Sequence, residues 1–239
     1  MPLNQNDGGD IGERTRPSMI DTGVSRRALL RRSVVVASIA APAALLAACG
    51  TSSTAASPTS TANGGNKLAS LKAISDNKSA FTEIQQDENQ HVAFLTSALK
   101  SAARPKPTFQ GLLQADIMAF AMVSMVLENT GVGAYLFGAG AISDKGNLAA
   151  AATILTIEAR HAGFLDVLLN APISANGAFD KPLTQAAIVA AAGPFIANLN
   201  GGSDPSAPLK NDADILNFAL LLEYLESEFY NANVPKFFP

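Results

Sequence analysis

Tryptophan is absent from this chain of 239 residues, cysteine occurs once and histidine twice. A single cysteine excludes an intramolecular disulfide framework, and two histidines leave little material for an all-imidazole metal site. Positive charge is also short where the fold is expected. The first 49 residues hold six Arg and four acids, so residues 50–239 carry 11 Lys+Arg against 16 Asp+Glu. That acidic remainder has no basic patch able to track phosphates, which excludes nucleic acid as a partner class. Strand-like alternation of β-branched residues is scarce, whereas alanine is abundant and the apolar stretches are long. Those features predict an all-α fold in one domain of ordinary size.

The N-terminal region reads as an address, not as part of the fold. Ser25-Arg26-Arg27-Ala28-Leu29-Leu30 precedes an uncharged stretch from Ser33 to Ala48, which ends in small residues before Cys49. A basic segment, a short apolar segment and a small-residue end form an export signal. The paired arginines resemble a twin-arginine signal, and Leu46-Ala47-Ala48-Cys49 resembles a lipoprotein box with Cys49 as the lipidated residue. The alternative is an uncleaved signal anchor, against which sixteen residues are short for a span. Gly50 through Asn66 is almost wholly Ser, Thr, Ala, Gly, Pro and Asn, a composition that buries too little apolar surface to order itself and predicts a tether.

Residues 67–239 are expected to form the folded domain. Helices are predicted over about Asn77–Ala102 behind Asp76 as N-cap, Asp116–Phe137, Asn147–Leu169, and Asp214–Asn231 ending before Pro235. A Gly/Pro-rich connector with a helical piece near Leu183–Ala192 separates the last two. Ile117 through Ser143 contains a single charge, Glu128. A transmembrane helix is one reading of that stretch. Its glycines, its central carboxylate and its lack of flanking Lys or Arg favour a buried bundle helix.

Both histidines follow a glutamate by three residues, in Glu88-Asn89-Gln90-His91 and Glu158-Ala159-Arg160-His161. On a helix, i and i+3 share a face, so carboxylate and imidazole can reach one metal ion. Glu is 8 of 239 residues. Chance therefore places a Glu at i−3 of a given His in roughly 3% of cases, and of both in about one in a thousand. The pairs also interrupt apolar stripes, Ile84-Glu88-His91-Leu95 and Ile154-Glu158-His161-Leu165. Glu128 and Glu223 interrupt two more, and a buried carboxylate is costly unless paired or metal-bound. Glu226, on the flank of the Glu223 stripe, is an alternative ligand or a supporting group. Glu228, Asp87 and Glu83 read as solvated charges. Glu128 and Glu223 are each followed by tyrosine seven residues later, Tyr135 and Tyr230, so the helices pair into two similar halves about a pseudo-twofold axis. The tyrosines fit either core packing or a role beside the metals.

One Glu from each of two helices plus Glu-x-x-His from two others is the inward ligand set of di-iron and di-manganese bundles. On Glu88/His91, Leu127-Glu128-Asn129-Thr130-Gly131-Val132-Gly133-Ala134-Tyr135, Glu158/His161 and Leu222-Glu223-Tyr224-Leu225-Glu226, the chain resembles the ferritin-like superfamily. The likeness is to its exported ferritin-like domain group, which includes desiccation-related proteins. It implies a four-helix bundle in which Glu88 and Glu158 bridge two metals, Glu128 and Glu223 are terminal ligands, and His91 and His161 bind one ion each. Tyr230, and by symmetry Tyr135, would lie near the metals. Two Fe per chain are implied, alternatively Mn, with O₂ or peroxide as the small-molecule partner.

The helix that comes first in that family comes last here, which implies a circular permutation. The permuted helix could complete its own bundle or that of a second copy in a homodimer. Nothing argues for a storage cage. The functions implied are ferroxidase-like iron oxidation, manganese-dependent peroxide disproportionation, or a non-enzymatic stress or interaction bundle. Each would be exported and held at the periplasmic or outer face of a membrane through lipid alone.

Overall fold

The computed structural model describes residues 71–239, so the expected signal (1–49) and tether (50–66) lie outside the described residues. Residues 71–75 are helical, and five further α-helices follow in order: α1 Lys78–Leu99, α2 Ile117–Ala139, α3 Lys145–Leu168, α4 Gln185–Ala192 and α5 Asp212–Phe237. The all-α class holds, with one small addition. Thr108–Phe109 (β1) pairs antiparallel with Ile196–Asn198 (β2) and joins the two long connectors of the chain.

Local chemistry sets most helix ends. Asp116, Asp144, Thr184 and Asn211 each accept a backbone N–H at the start of α2, α3, α4 and α5, which satisfies a donor the helix itself leaves orphaned. The first helix departs from expectation. Asn77, not Asp76, precedes it, and no side chain caps it. Asp76 is instead engaged by Lys72, and the Asn77 amide reaches back to the Ala73 carbonyl at 2.6 Å. The α1 helix also stops at Leu99, with Lys100–Ala102 in 3₁₀ form. A second correction falls on α5, which continues through Pro235 to Phe237. Proline removes one N–H from the ladder, and in the last turn that forfeits a single bond without breaking a long helix.

Four helices form the bundle. Their directions follow from side-chain contacts at the two ends. At one end Phe81 of α1 meets Phe120 of α2, Phe164 of α3 and Phe238 beyond α5, with ring centroids 4.9, 6.0 and 5.1 Å apart. At the other, Leu95 and Leu99 of α1 share a cluster with Ala151 and Ile154 of α3 and Leu216 and Leu220 of α5. Hence α1 and α2 run parallel, and α3 and α5 run the opposite way. The connectors 100–116 and 169–211 must each travel the length of the bundle, and β1–β2 pairs them. Asn217 anchors the first connector by accepting from the Arg104 backbone N–H at 2.6 Å. The α5 helix occupies the fourth place in its own bundle, with Ile215, Leu216, Phe218, Leu220–Leu222, Leu225 and Phe229 buried.

The apolar α2 is long enough to cross a membrane by length and composition. Its buried residues nevertheless line the centre of the bundle, including Phe120, Leu127, Glu128 and the run Thr130–Tyr135. Two of its glycines allow close approach. Leu183 packs where a Gly133 side chain would stand, and its N–H donates to the Gly133 carbonyl at 3.0 Å.

Candidate metal centre

The two Glu-x-x-His pairs come from α1 and α3, which cross antiparallel at mid-bundle, and the other two corners come from α2 and α5. Glu88, Glu128, Glu158 and Glu223 are all fully buried, and His91 and His161 are 8% and 7% exposed. Their ligand atoms fall into two sets. Glu88, Glu128, Glu158 and His161 form one, and Glu88, His91, Glu158 and Glu223 the other, with all atoms of a set within 4.8 Å of one another. Glu88 and Glu158 belong to both. Every residue expected from sequence as a ligand is thus brought to one place.

Each imidazole turns Nδ1 inward. His91 Nδ1 lies 3.2 Å from Glu88, 3.3 Å from Glu158 and 3.3 Å from Glu223. His161 Nδ1 lies 3.1 Å from Glu88 and 3.2 Å from Glu128. Tyrosines complete the shell crosswise. Tyr230 of α5 donates to Glu128 of α2 at 2.6 Å, and Tyr135 of α2 donates to Glu223 of α5. Both hydroxyls therefore lie beside the candidate ligands, which combines the packing and site readings of the sequence.

One residue differs from expectation. Asp87, read as a solvated charge, sits with its Oδ2 3.2 Å from His161 Nε2. Sequence patterning missed it because Asp87 lies on the edge of the α1 stripe and its partner is 74 residues away. Glu226, read as an alternative ligand or a supporting group, is 3% exposed in the same core and belongs to neither donor set. The spacing to Glu223 was its signal, since i and i+3 share a helix face. Glu228 and Glu83 behave as expected: Glu228 pairs with Lys106 at 2.7 Å near the surface, and Glu83 is exposed.

Five carboxylates crowded in a dry core cannot all stay ionised without compensation. Burial, then the charge of Glu128, pushes the Glu88 pKa up to about 7. Burial and neighbouring carboxylates, Glu88 first for Glu158 and Glu158 first for Glu226, raise both well above the usual range. Burial pulls the histidines down, but their carboxylate partners outweigh it. His161 is raised to about 11, chiefly by Glu128 and Glu88, and His91 is raised further, chiefly by Glu158 and Glu223.

The donor set fits metal ions. Glu88 Oε1, Glu158 Oε1 and Glu223 Oε2 have no partner beyond an imidazole Nδ1 that each shares with other carboxylates, and Glu158 Oε2 is buried without a hydrogen bond. Buried carboxylate oxygens left in that state are costly, and divalent cations satisfy them. Oxygen donors with one imidazole per set suit iron or manganese. Gly131 shows the same room being kept. A Cβ there would stand 2.5 Å from Glu158 Oε2 and 3.4 Å from Glu226 Oε1.

With the geometry in place, a family comparison decides the lineage: a ferritin-like domain matches over residues 52–171 and 211–238. The chain belongs to the ferritin-like domain family. The part left unmatched between those stretches is the long connector that carries α4 and β2. No curated protein and no solved structure gives a significant match. Family membership and the buried Glu/His cluster together make this ferritin-like bundle one that can hold metal.

Two outcomes follow. Gly131→Ala should weaken metal binding at least tenfold by displacing the Glu158 carboxylate. The metal-free melting temperature should hold or rise, because alanine favours a helix interior by about 1 kcal/mol over glycine. Parallel metal titration and thermal melts separate the two effects, and unchanged metal affinity would remove the role given to Gly131.

The second outcome concerns pH. Folded pKa values above the unfolded ones mean that protonation stabilises the fold. The Glu88 contribution is complete below its unfolded value and lost as pH rises through about 7, and that of His161 is lost toward about 11. The metal-free protein should therefore melt at lower temperature at pH 9 than at pH 6. Added Mn(II) should raise the melting temperature more at pH 9, because ligands bind metal deprotonated. A metal-free melting temperature that climbs from pH 6 to 9 would contradict this account.

Proposed function

We propose that this ferritin-like protein carries a dinuclear carboxylate/histidine centre that binds iron and oxidises it. The observation that supports the reading best is the sharing of Glu88 and Glu158 between two otherwise separate donor sets. Shared carboxylates are what two adjacent ions need, since each bridge offers one oxygen to each ion. Glu128 with His161 would complete one position, and Glu223 with His91 the other. The chemistry supplied there is one-electron oxidation of Fe(II) as substrate, with O₂ or hydrogen peroxide as acceptor.

The chain's own groups would hold and orient. Tyr230 and Tyr135 fix one oxygen of each terminal carboxylate, which leaves the second oxygen free to ligate. The surrounding core, with Phe120, Leu127 and Leu225 fully or nearly buried, keeps water from the carboxylates. We read the order of elements as a circular permutation. Parallel α1 and α2 joined by a lengthwise connector, with a Glu…Tyr helix at the C-terminal end, support it.

The full-length protein should bind about two Fe per chain, and Glu88→Ala with Glu158→Ala should abolish stoichiometric binding because both bridges are lost. Anaerobic Fe(II) loading followed by O₂ should consume oxygen in wild type and not in the double variant. Peroxide breakdown on a manganese-loaded protein, without Fe(II) oxidation, would transfer the assignment to the manganese chemistry. Tight stoichiometric metal in the double variant would end the dinuclear reading altogether.

The location we propose is the outer side of a membrane, through twin-arginine export and a lipid on Cys49. The signal residues Arg26 and Arg27 and the box ending at Cys49 support it. Cys49→Ser should move the protein from the membrane to the soluble fraction on cell fractionation. Firm retention of that variant in the membrane would favour the uncleaved anchor.

A further inference from the structure

The exposed apolar surface of the bundle is unevenly placed. Among the described residues five large apolar side chains stand exposed, and four of them, Leu113, Val167, Ile173 and Phe179, are 56% to 83% exposed. Those four gather at one end. Leu113 precedes Gln114, whose N–H donates to Asn233 near the end of α5 at 2.8 Å and whose carbonyl accepts from Lys236. Val167 lies in the last turn of α3, and Ile173 packs back on that helix, with Cγ1 3.5 Å from where a Cβ of Gly163 would stand. Phe179 precedes Asp180, whose charge adds to burial in raising the pKa of Asp166, next to Val167. An open, mainly apolar groove between Phe164, Val167, Leu168 and Ile173 joins two of the four. The fifth, Phe94, stands on the flank of α1, about 24 Å along that helix from Lys78.

The same end is where the chain enters the fold. Residues 71–75 are helical, and Ile74 is fully buried in the cluster that contains Phe120, Val234 and Phe238. Residues 50–70 connect Cys49 to this end, and a chain of that length spans at most about 70 Å. Contiguous exposed apolar surface marks either a protein partner or a membrane. The point of entry favours the membrane. With Cys49 at a bilayer, the part of the domain held nearest the lipid is the end that carries Leu113, Val167, Ile173 and Phe179.

We propose that this end of the bundle docks on the lipid bilayer, with those four side chains entering the boundary between headgroups and acyl chains. The inference rests on the membrane location proposed above and deepens it by naming the face turned to the lipid. Apolar burial drives the docking more than charge does, since Lys72 at the point of entry is matched by Asp76. The anchor supplies retention and the end face supplies orientation, so loss of the anchor still releases the protein. Docked in this way, the bundle stands on the membrane. Glu88 is ten residues along α1 from Lys78, so the carboxylate cluster lies about 15 Å further from the lipid than the start of that helix.

The absence of tryptophan makes the test direct. Leu113→Trp, Ile173→Trp and Phe94→Trp each give the full chain a single indole. Each variant is extracted from cell membranes in detergent and reconstituted into phosphatidylcholine vesicles, with and without bromine on the acyl chains. Leu113→Trp and Ile173→Trp should lose about half or more of their emission in the brominated vesicles, because docked side chains reach about 5–10 Å into the boundary, where bromine quenches them. Phe94→Trp should lose less than about a tenth, because its indole stays in water. Ile173→Asp with Phe179→Asp, added to Leu113→Trp, should remove the quenching while the protein still floats with the vesicles. Every replaced side chain is exposed, so melting temperatures should match wild type and exclude misfolding as the cause.

Protein that floats with the vesicles but shows no quenching at positions 113 and 173, or equal quenching at 94, overturns the docking and leaves the membrane location standing. An indole at 173 that is shielded from aqueous acrylamide yet untouched by bromine would mean that a second copy covers the face, which also overturns it. Wild type absent from the membrane fraction removes the location and the docking together.

Discussion

Five glutamates inside one apolar bundle are the constraint that the rest of this structure serves. Each buried carboxylate needs a proton, a positive partner or a metal ion, and a core built from Phe, Leu and Ile supplies none of these. Only two histidines are present, both raised in pKa by the carboxylates they face, and they neutralise at most two of the five charges. The residual demand explains the remaining features. Tyrosine hydroxyls are aimed at two carboxylates, one glycine is left where a side chain would press on a third, and several oxygens around a common centre have no partner beyond a shared imidazole nitrogen. A protein selected only for stability would replace such a cluster with packed apolar groups, often at a gain of 1–4 kcal/mol.

Holding that cluster requires four helices in register, and the links that hold them are polar pairs outside the site. Asn89 of α1 accepts from Ser227 and Asn231 of α5 at 2.8 and 3.0 Å. Asn129 of α2 donates to Asp166 of α3 at 3.0 Å. Both clamps lie next to ligands in sequence, Asn89 beside Glu88 and Asn129 beside Glu128, so each fixes the helix rotation that turns its neighbour inward. At the far end Asp212, the first residue of α5, accepts from the Ser143 and Asp144 backbone N–H groups and from Asn147. One carboxylate thus ties the entry of the last helix to the α2–α3 turn.

Much of this was legible in the sequence because the informative contacts are local. Glu88 with His91 and Glu158 with His161 declare a shared helix face by spacing alone, and apolar stripes on either side declare the face buried. What stayed hidden depends on partners distant along the chain. Asp87 looks like any charge on a helix edge until α3 brings His161 beside it. Asp76 misled through a local competitor instead, since Lys72, four residues earlier, engages it. The β1–β2 pairing joins two- and three-residue strands too short for any period to reveal. Pro235 misled for a different reason: the rule that proline ends a helix is strong in the interior and weak in the last turn, where few bonds remain to lose.

The i to i+7 spacing of Glu and Tyr has a consequence that neither helix shows by itself. Seven residues advance a helix by about 10.5 Å, and a helical tyrosine leans toward the N-terminus, back over part of that rise. On two antiparallel helices the same spacing is self-complementary. If Tyr135 reaches Glu223, then Tyr230 must reach Glu128 by the same operation, and both bonds are present. A frame of this kind is symmetric by construction, so any difference between the two donor sets must come from residues that break the repeat. Among the residues that break it are Glu226 against Gly131 and Asp87 against Ile157. The first is a linked pair, because the small Gly131 makes room for the carboxylates of Glu158 and Glu226 together. The second lies outside the ligands and costs the frame nothing. Symmetry therefore builds the site, and the residues that break it leave its two halves chemically unlike.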